Sequence, residues 1–301
     1  MDLQSDTLIG LLLVGLFATA AVGLYLHQRD LQHDDRFSSK AMMRPNVELP
    51  LPIAQDVGES RRCSGAEMQL QRRLIDIGTW IELDILYLMA ASDKPSAYLS
   101  LIDPSKFHLT PVGEPIFNTH RGSGGDGVSS GLNTKWSPAK NGKRWSKEAA
   151  SIIWGVDDDR PLGSPDLGTT SGKGAFRSVL FTPRDDKDCA VLRLNSTVNT
   201  QAPNNSAQGI YLANRSGDRL ALWKVSPTDD PRLLCEATSL PVEPSPVTIQ
   251  LFRSVTTNNW SSRKDAFCFA AGGDLTGKEV STLTALRDWA LNVGALSKGR
   301  T

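Results

Sequence analysis

Apolar and polar residues are distributed unevenly along this chain. An uncharged run of 19 residues, LIGLLLVGLFATAAVGLYL, occupies residues 8–26. As a helix it would extend about 28 Å, close to the hydrocarbon thickness of a bilayer. It predicts a transmembrane helix over residues 8–26 behind a short tail, residues 1–7. Polar residues and prolines follow in residues 27–62, which predicts a juxtamembrane helix extension and a proline-containing tether.

The remaining residues, 63–301, carry shorter periodic runs that predict a soluble domain, with a sub-boundary near residues 150–174. Apolar residues at helical spacing from Leu70 predict a helix. After Gly78 the run WIELDILYLMAA fits either a continued helix or a strand. The strand, over residues 81–87 with residues 97–102 as its hairpin partner, is the favoured prediction.

Beyond Ala175, β-prone runs alternate with turn signals, which predicts antiparallel hairpins. These runs are AFRSVLFT, DCAVLRL, GIYLA, RLALWKV, RLLCEA, VTIQLFR and AFCFAA. Thr276 and Glu279 then have the spacing of a capping box at the start of an apolar helical stripe that ends near Gly294. The predicted fold class is α+β: a single N-terminal transmembrane helix, then a mainly antiparallel β-rich domain with a C-terminal helix packed on the sheet.

The charges beside residues 8–26 predict an orientation. Basic residues follow the run but do not precede it, so the positive-inside rule favours a cytoplasm-facing domain over an extracytoplasmic one. A cleaved signal peptide, with Ala18-Thr19-Ala20 as its cleavage site, and a buried helix are the alternatives. Gly15, Thr19 and Gly23 are four residues apart, as in helices that pair closely, although small residues are also common in single spans. The expected partners are the lipid bilayer and a second copy or another membrane helix.

The chain has 33 basic and 33 acidic residues, and this zero net charge makes nucleic acid an unlikely partner. Its four cysteines, Cys63, Cys189, Cys235 and Cys268, contain no CxxC pair, so we predict no metal site. Free buried thiols and two disulfides both fit this count. No cofactor is predicted.

Several short motifs resemble catalytic or nucleotide-binding signatures without fulfilling them. Residues 122–127 match GxGxxG, but a poor helix former follows, and residues 168–174 have the wrong spacing for a phosphate loop. His108 and His120 could act as general bases, but no G-x-S-x-G motif is present to supply a nucleophilic serine. We therefore predict no catalytic residue.

Two stretches remain as low-specificity candidates. In the first, lysine and arginine residues alternate with tryptophans, which predicts a surface for anionic or stacking ligands. The alternative is that the tryptophan side chains point into the core. The residues of this first stretch are Lys135, Trp136, Lys140, Lys143, Arg144 and Trp145. The second is an acidic site at Asp157, Asp158 and Asp159, after the apolar run SIIWGV, where a solvated turn is the simpler interpretation.

The sequence thus predicts a membrane-anchored, non-enzymatic binding, scaffolding or sensing component of a membrane assembly. One alternative is a membrane-tethered enzyme or effector that acts on a nucleotide or phosphoester. The other is an envelope or surface protein stabilised by disulfides.

Overall fold

Short β-strands make up most of the regular structure, and most of them pair into two antiparallel sheets. The computed structural model describes residues 64–169, 179–254 and 259–298, which belong to one unit, Asp56–Thr301. In chain order the strands are β1 (Leu83–Leu88), β2 (Thr110–Val112), β3 (Ile116–Asn118), β4 (Gly122–Gly124), β5 (Gly131–Asn133), β6 (Ala149–Val156), β7 (Leu167–Thr169), β8 (Val179–Thr182), β9 (Cys189–Leu194), β10 (Thr200–Pro203), β11 (Gly209–Ser216), β12 (Arg219–Val225), β13 (Arg232–Thr238), β14 (Ile249–Leu251), β15 (Arg253–Ser254), β16 (Asn259–Trp260) and β17 (Ala266–Gly272). The helices are α1 (Gly65–Ile77), α2 (Lys94–Ala97), α3 (Pro138–Asn141) and α4 (Glu279–Asn292), with a 3₁₀ turn at Trp80–Glu82.

The larger sheet, called the central sheet here, has the strand order β13-β12-β11-β6-β17-β4-β3, and β1 also pairs with β17. The second sheet has the order β10-β9-β8-β7-β14-β5-β2, and β15 pairs with β16 alone. Strands that are distant in sequence, such as β6 and β17, are neighbours in the central sheet. The connections therefore combine local hairpins with long crossovers.

The inner strands of the central sheet, β6, β11 and β17, are buried along nearly their whole length. Consecutive residues of a strand point to opposite sides, so both faces of the sheet are covered there. Trp154 of β6 packs into the core shared with the second sheet, where it lies in the same cluster as Phe181 of β8. Its neighbour Ile153 faces the other way, into a second core with Leu74 of α1 and Leu286 of α4. The molecule thus has three layers: the second sheet, the central sheet and a pair of helices.

Helix α1, which packs on this second core, has well-defined ends. The Ser64 hydroxyl accepts the Glu67 N–H at 3.2 Å, and the Glu67 carboxylate accepts the Ser64 N–H at 2.8 Å, which forms a capping box. Gly78 ends the helix with φ of 79°, a conformation that glycine adopts without strain.

The predicted fold class is wrong. We expected a transmembrane helix and then one sheet with a helix packed on it, whereas the described residues form an antiparallel two-sheet β-sandwich with helices on the outer face of the central sheet. The expectation failed because β17 is buried at every position. A sheet covered on both faces loses the alternation that a half-buried sheet would show.

The predicted membrane segment, residues 8–26 with Gly15, Thr19 and Gly23, lies outside the described residues, as do the tail 1–7 and the tether up to residue 62. Within the part of the chain that the structure describes, no helix is long and apolar enough to cross a membrane. The longest of these helices, α4, has 14 residues, whereas a span needs about 20. The predicted single-pass localisation, with its cytoplasm-facing domain, is corrected on this finding.

Candidate functional site

The three consecutive aspartates after β6 line a cleft at one end of the central sheet. Strand β6 ends at Val156, and the Asp157 N–H still donates to the Asp265 carbonyl at 3.0 Å, so the two chain segments enter the cleft side by side. The cleft has a volume of about 450 Å³. Besides Asp157, Asp158 and Asp159, its lining residues are Arg121, Arg160, Gln208, Lys264, Asp265 and Ser297.

Asp157 holds this end of the sheet together. Its side chain is only 1% exposed, and its carboxylate accepts from Arg121 Nη2 at 2.9 Å and from Gln208 Nε2 at 2.7 Å. The main-chain N–H and hydroxyl of Ser297 each donate to it at 3.0 Å. These donors come from three segments of the chain, so Asp157 serves chiefly to bring the cleft walls together.

Arg121 bridges two carboxylates. Its Nη2 atom lies 2.9 Å from Asp157 Oδ2 and 3.1 Å from Asp265 Oδ2. Asp265 also accepts from Asn118 Nδ2 at 2.8 Å. About a third of the Arg121 side chain, 31%, remains exposed, so this guanidinium faces the cleft while its orientation is fixed.

Asp158 is also held by protein donors. Its carboxylate accepts from the Arg160 guanidinium, at 2.5 Å from Nη2, and from the Lys264 N–H at 2.8 Å. Burial alone would raise the pKa of Asp158, but these hydrogen bonds and the charge of Arg263 hold it below its ordinary value. The Asp158 side chain is therefore ionised and fixed.

Two side chains leave polar atoms open to solvent. The Asp159 side chain is 59% exposed, although one oxygen accepts the Ala207 N–H at 2.6 Å. Lys264 is exposed, and among the described residues its ammonium group has no hydrogen-bond or ion-pair partner. An acceptor and a donor thus face the same cleft.

A buried ion pair lies beneath the cleft. Arg263 Nε donates to Asp166 Oδ2 at 2.8 Å, and neither side chain is exposed. The Arg263 Nη1 group donates to the carbonyl oxygens of Asp158 at 3.2 Å and Arg160 at 2.5 Å. The turn that carries the aspartates therefore rests on an internal guanidinium.

The sequence pointed to the aspartates but not to their neighbours in the cleft. Arg121 precedes β4, Gln208 precedes β11, and Lys264 and Asp265 precede β17, so each flanks a strand end. Polar residues at strand ends are therefore the sequence signal that could have identified these cleft residues. This signal identifies a shared site only when the strand order is known, since that order places β6 between β11 and β17.

The basic and aromatic stretch predicted as a ligand surface is divided by the fold. Trp136 is 0% exposed and Trp145 is 5% exposed, with their ring centroids 5.6 Å apart. Their rings lie in the core between the sheets. Lys135, Lys140, Lys143 and Arg144 are exposed. Ligand binding by these cations stays a prediction, but the two tryptophans are buried and are not available to stack on a ligand.

The same stretch is fixed by a carboxylate that the sequence did not single out. Asp84 accepts the main-chain N–H groups of Lys143 at 2.9 Å, Arg144 at 3.0 Å and Trp145 at 3.0 Å. Three converging N–H groups are a strong anion-binding arrangement. Here the anion is supplied by the protein itself.

The other sequence candidates have structural roles or carry no site. The GxGxxG match contributes β4, and a Cβ on Gly122 would lie 2.1 Å from the Ala266 carbonyl oxygen, so close backbone packing accounts for this glycine. Cys189, Cys235 and Cys268 are free thiols, while Cys63 lies outside the described residues. Within the described ranges, no group of three or more His, Cys, Asp or Glu residues could hold a metal ion.

No protein family matches this sequence, and no curated protein does. The fold resembles that of a Trypanosoma rangeli sialidase in complex with the sugar acid 2,3-difluoro-KDN, with a TM-score of 0.52 and 14% identity over 70% of this chain and 33% of that chain. A mutant of this sialidase with trans-sialidase activity matches with a TM-score of 0.49 and 13% identity, over 73% of this chain and 38% of that chain. Domain 4 of an extracellular arabinanase from Geobacillus stearothermophilus, in complex with arabinotriose, matches with a TM-score of 0.42 and 11% identity, over 67% of this chain and 98% of that chain.

At such low identity these likenesses concern the fold alone, and the first has a TM-score above 0.5. The matched part spans about a third of the length of the sialidase chains.

The predicted functions are corrected by these findings. Three functions were predicted: a membrane scaffold or sensor, a membrane-tethered enzyme acting on a nucleotide or phosphoester, and a disulfide-stabilised envelope protein. The first two depended on a membrane segment and a different fold, and the third on paired cysteines. The described residues instead form a sandwich of the kind found in a sialidase, with three free thiols.

Proposed function

We propose that this domain binds a saccharide in the cleft beyond β6. The observation that carries the proposal is the mixture of open donors and acceptors in that cleft. Lys264 and Arg121 present N–H groups, while Asp159 presents carboxylate oxygen. A sugar hydroxyl both donates and accepts hydrogen bonds. Neighbouring hydroxyls on one ring therefore match a surface that offers both kinds of partner.

The charge of the cleft favours a ligand part without a concentrated negative charge. Four carboxylates and three cationic side chains line it, and the carboxylates would repel a phosphate group. Its volume of about 450 Å³ lies in the range of small-molecule sites. A neutral sugar ring, with its polar groups spread over its edge, suits this arrangement.

The structural likeness supports a carbohydrate ligand, since the sialidase that shares the fold was solved with a sugar acid. We propose binding in place of hydrolysis, because Asp157 and Asp158 are both occupied by protein donors. A glycosidase of the usual type needs two carboxyl groups free to act on one glycosidic bond.

Calorimetric titration of the full chain tests the proposal. The ligands are galactose, lactose, arabinotriose and sialic acid, and the variants are Lys264→Ala and Asp159→Asn, each of which removes one open group. We expect each variant to weaken binding about five- to tenfold, as for the loss of one hydrogen bond. Lys140→Ala is the matched control, because Lys140 is equally exposed but belongs to the basic stretch.

The control also separates the two candidate sites. Unchanged affinity in Lys140→Ala with weakened binding in Lys264→Ala supports the cleft. The reverse pattern would move the site to the basic stretch and refute this proposal, as would the absence of binding to every saccharide in the panel.

A further inference from the structure

A second, smaller pocket adjoins the cleft, and its lining side chains carry more positive charge than those of the cleft. It has a volume of about 260 Å³, and Gln208 lines both it and the cleft. Ser297 lines the cleft, and the next residue, Lys298, lines the pocket. The two concavities are therefore neighbours, separated by one side chain and a short piece of main chain.

A buried lysine forms the innermost part of this pocket. Lys224 of β12 is 1% exposed, and it lies on the face of the central sheet that packs towards the second sheet, beside Tyr211. Its ammonium nitrogen lies 5.3 Å from the centre of the Tyr211 ring. An ammonium group at the margin of an apolar core is costly unless a counter-charge is supplied.

The protein supplies no such counter-charge in direct contact. Lys224 Nζ donates to Asn204 Oδ1 at 2.9 Å and to the Ser206 carbonyl at 2.6 Å, both of them uncharged acceptors. Among the described residues no carboxylate oxygen lies within 4.0 Å of this nitrogen. Two of its three N–H groups are thus satisfied, and no described carboxylate balances its charge by direct contact.

The other charged side chains of the pocket strengthen its positive character. Arg232 and Lys298 are exposed at its mouth, and within the described part of the chain neither forms an ion pair. Asp229 is the single carboxylate among the lining residues. Three cations therefore face one carboxylate, which contrasts with the nearly neutral cleft.

We propose that this pocket binds a small oxyanion group, a carboxylate or a sulfate, through Lys224, Arg232 and Lys298. The anion supplies the counter-charge that Lys224 lacks. The neighbouring cleft then receives the uncharged part of the same molecule, which makes the ligand an acidic saccharide. This last step rests on the proposed saccharide function, whereas the oxyanion site itself stands on the pocket.

Two titrations of the full chain test the site. In the first, sodium sulfate is compared with sodium chloride at equal ionic strength, and thermal unfolding is followed. We expect a sulfate-specific rise in melting temperature that is lost in Lys224→Met and in Arg232→Met. Lys106→Met, at an exposed lysine outside the cleft, the pocket and the basic stretch, should retain the full rise, which controls for general effects of sulfate.

The second titration compares galacturonic acid with galactose, which differ by one carboxyl group. Wild type should bind the acid about tenfold more tightly, as expected for one charge-assisted contact, and Lys224→Met should abolish this preference while keeping the affinity for galactose. Lys264→Ala should weaken both ligands equally.

A sulfate effect without saccharide binding would retain the oxyanion site and refute the saccharide function. No sulfate-specific effect in wild type, or an equal effect in Lys224→Met, would overturn the oxyanion site. A variant that melts far below wild type without sulfate is replaced by Lys298→Met, whose side chain is exposed and lines the same pocket.

Discussion

Arg263 and Asp166 are joined inside the sandwich by a hydrogen-bonded ion pair of 2.8 Å in which neither side chain reaches solvent. Asp166 also accepts from the Ser261 hydroxyl at 2.8 Å, and burial is the main reason why its pKa is raised. Arg263 also donates to carbonyl oxygens of the turn after β6. The buried pair therefore holds in place the turn that lines the cleft.

We predict that Asp166→Ala destabilises the protein by about 3–5 kcal/mol, because it leaves the Arg263 charge buried and unpaired. Urea unfolding of the two proteins measures this difference. Glu243→Ala is the control, since Glu243 forms a longer, exposed ion pair of 3.5 Å with Lys147, and its loss should matter by less than about 1 kcal/mol. Equal effects of the two substitutions would contradict the structural role of the buried pair.

Asp84 supports a second prediction, because three consecutive main-chain N–H groups converge on its carboxylate. Asp84→Ala should destabilise the protein by about 1–3 kcal/mol, the cost of leaving such groups unsatisfied. Asp84→Asn keeps one acceptor oxygen and should lose less. Hydrogen exchange of the Lys143, Arg144 and Trp145 amides gives a local measurement. Unchanged protection of these amides in Asp84→Ala would contradict the assignment.

Gly122 permits a close approach between β4 and β17. Its φ is 122°, and a Cβ there would lie 2.1 Å from the Ala266 carbonyl oxygen. We expect Gly122→Ala to destabilise the protein by more than about 1 kcal/mol. Gly163→Ala is the matched control, because no atom lies within 4 Å of its added Cβ. Chemical denaturation should separate the two variants clearly, and similar midpoints would show that the contact can relax.

Local features of the fold could be predicted from the sequence. The runs DCAVLRL and RLALWKV contain the whole of β9 and β12, and GIYLA forms the first five residues of β11. Turn residues and β-prone side chains act over a few positions, so they can be recognised without knowledge of the rest of the chain.

Strand pairing could not be predicted from the sequence as well, because it depends on contacts between residues that are distant along the chain. Residues 97–102 were expected to pair with the strand over 81–87, but the strand partner of β1 is β17. The expected segment contributes a main-chain hydrogen bond of 2.7 Å from Leu101 to the Leu86 carbonyl, and Leu99 forms a bridge to His108. The stretch 119–147 contains no long apolar run, yet it holds β4, β5 and α3. Glycines allow β4 to pack closely against neighbouring backbone, so it needs no apolar run.

In the candidate site, too, local signals could be recognised in the sequence, whereas features that depend on distant residues could not. Asp157, Asp158 and Asp159 were candidates in the sequence because they follow an apolar run, which is a local signal. Lys224 was passed over, because RLALWKV contains a lysine where a half-buried strand would be expected to reach solvent. Its burial depends on the Asn204 and Ser206 loop, which covers that end of the sheet, and nothing in the strand itself indicates this cover.

The buried Lys224 leads to a prediction on pH. Burial is the main cause that lowers its pKa from 10.5 to about 8. Arg232 and Arg184 act in the same direction, whereas Asp159 and Asp229 oppose it. Between about pH 8 and 10.5 the unfolded chain binds more protons at this site than the folded protein does. The contribution of Lys224 to stability therefore increases as pH rises through this window and is lost as pH falls through about 8.

Lys224→Met removes this titration, so the stability difference between wild type and the variant should shift in favour of wild type from pH 7 to pH 10. Guanidinium unfolding at four pH values across that range measures the difference, in which titrations common to both proteins cancel. Lys140→Met should show a flat difference. A flat profile for Lys224→Met as well would mean that Lys224 is solvated in the folded protein, which would also remove the charge imbalance on which the oxyanion site is based.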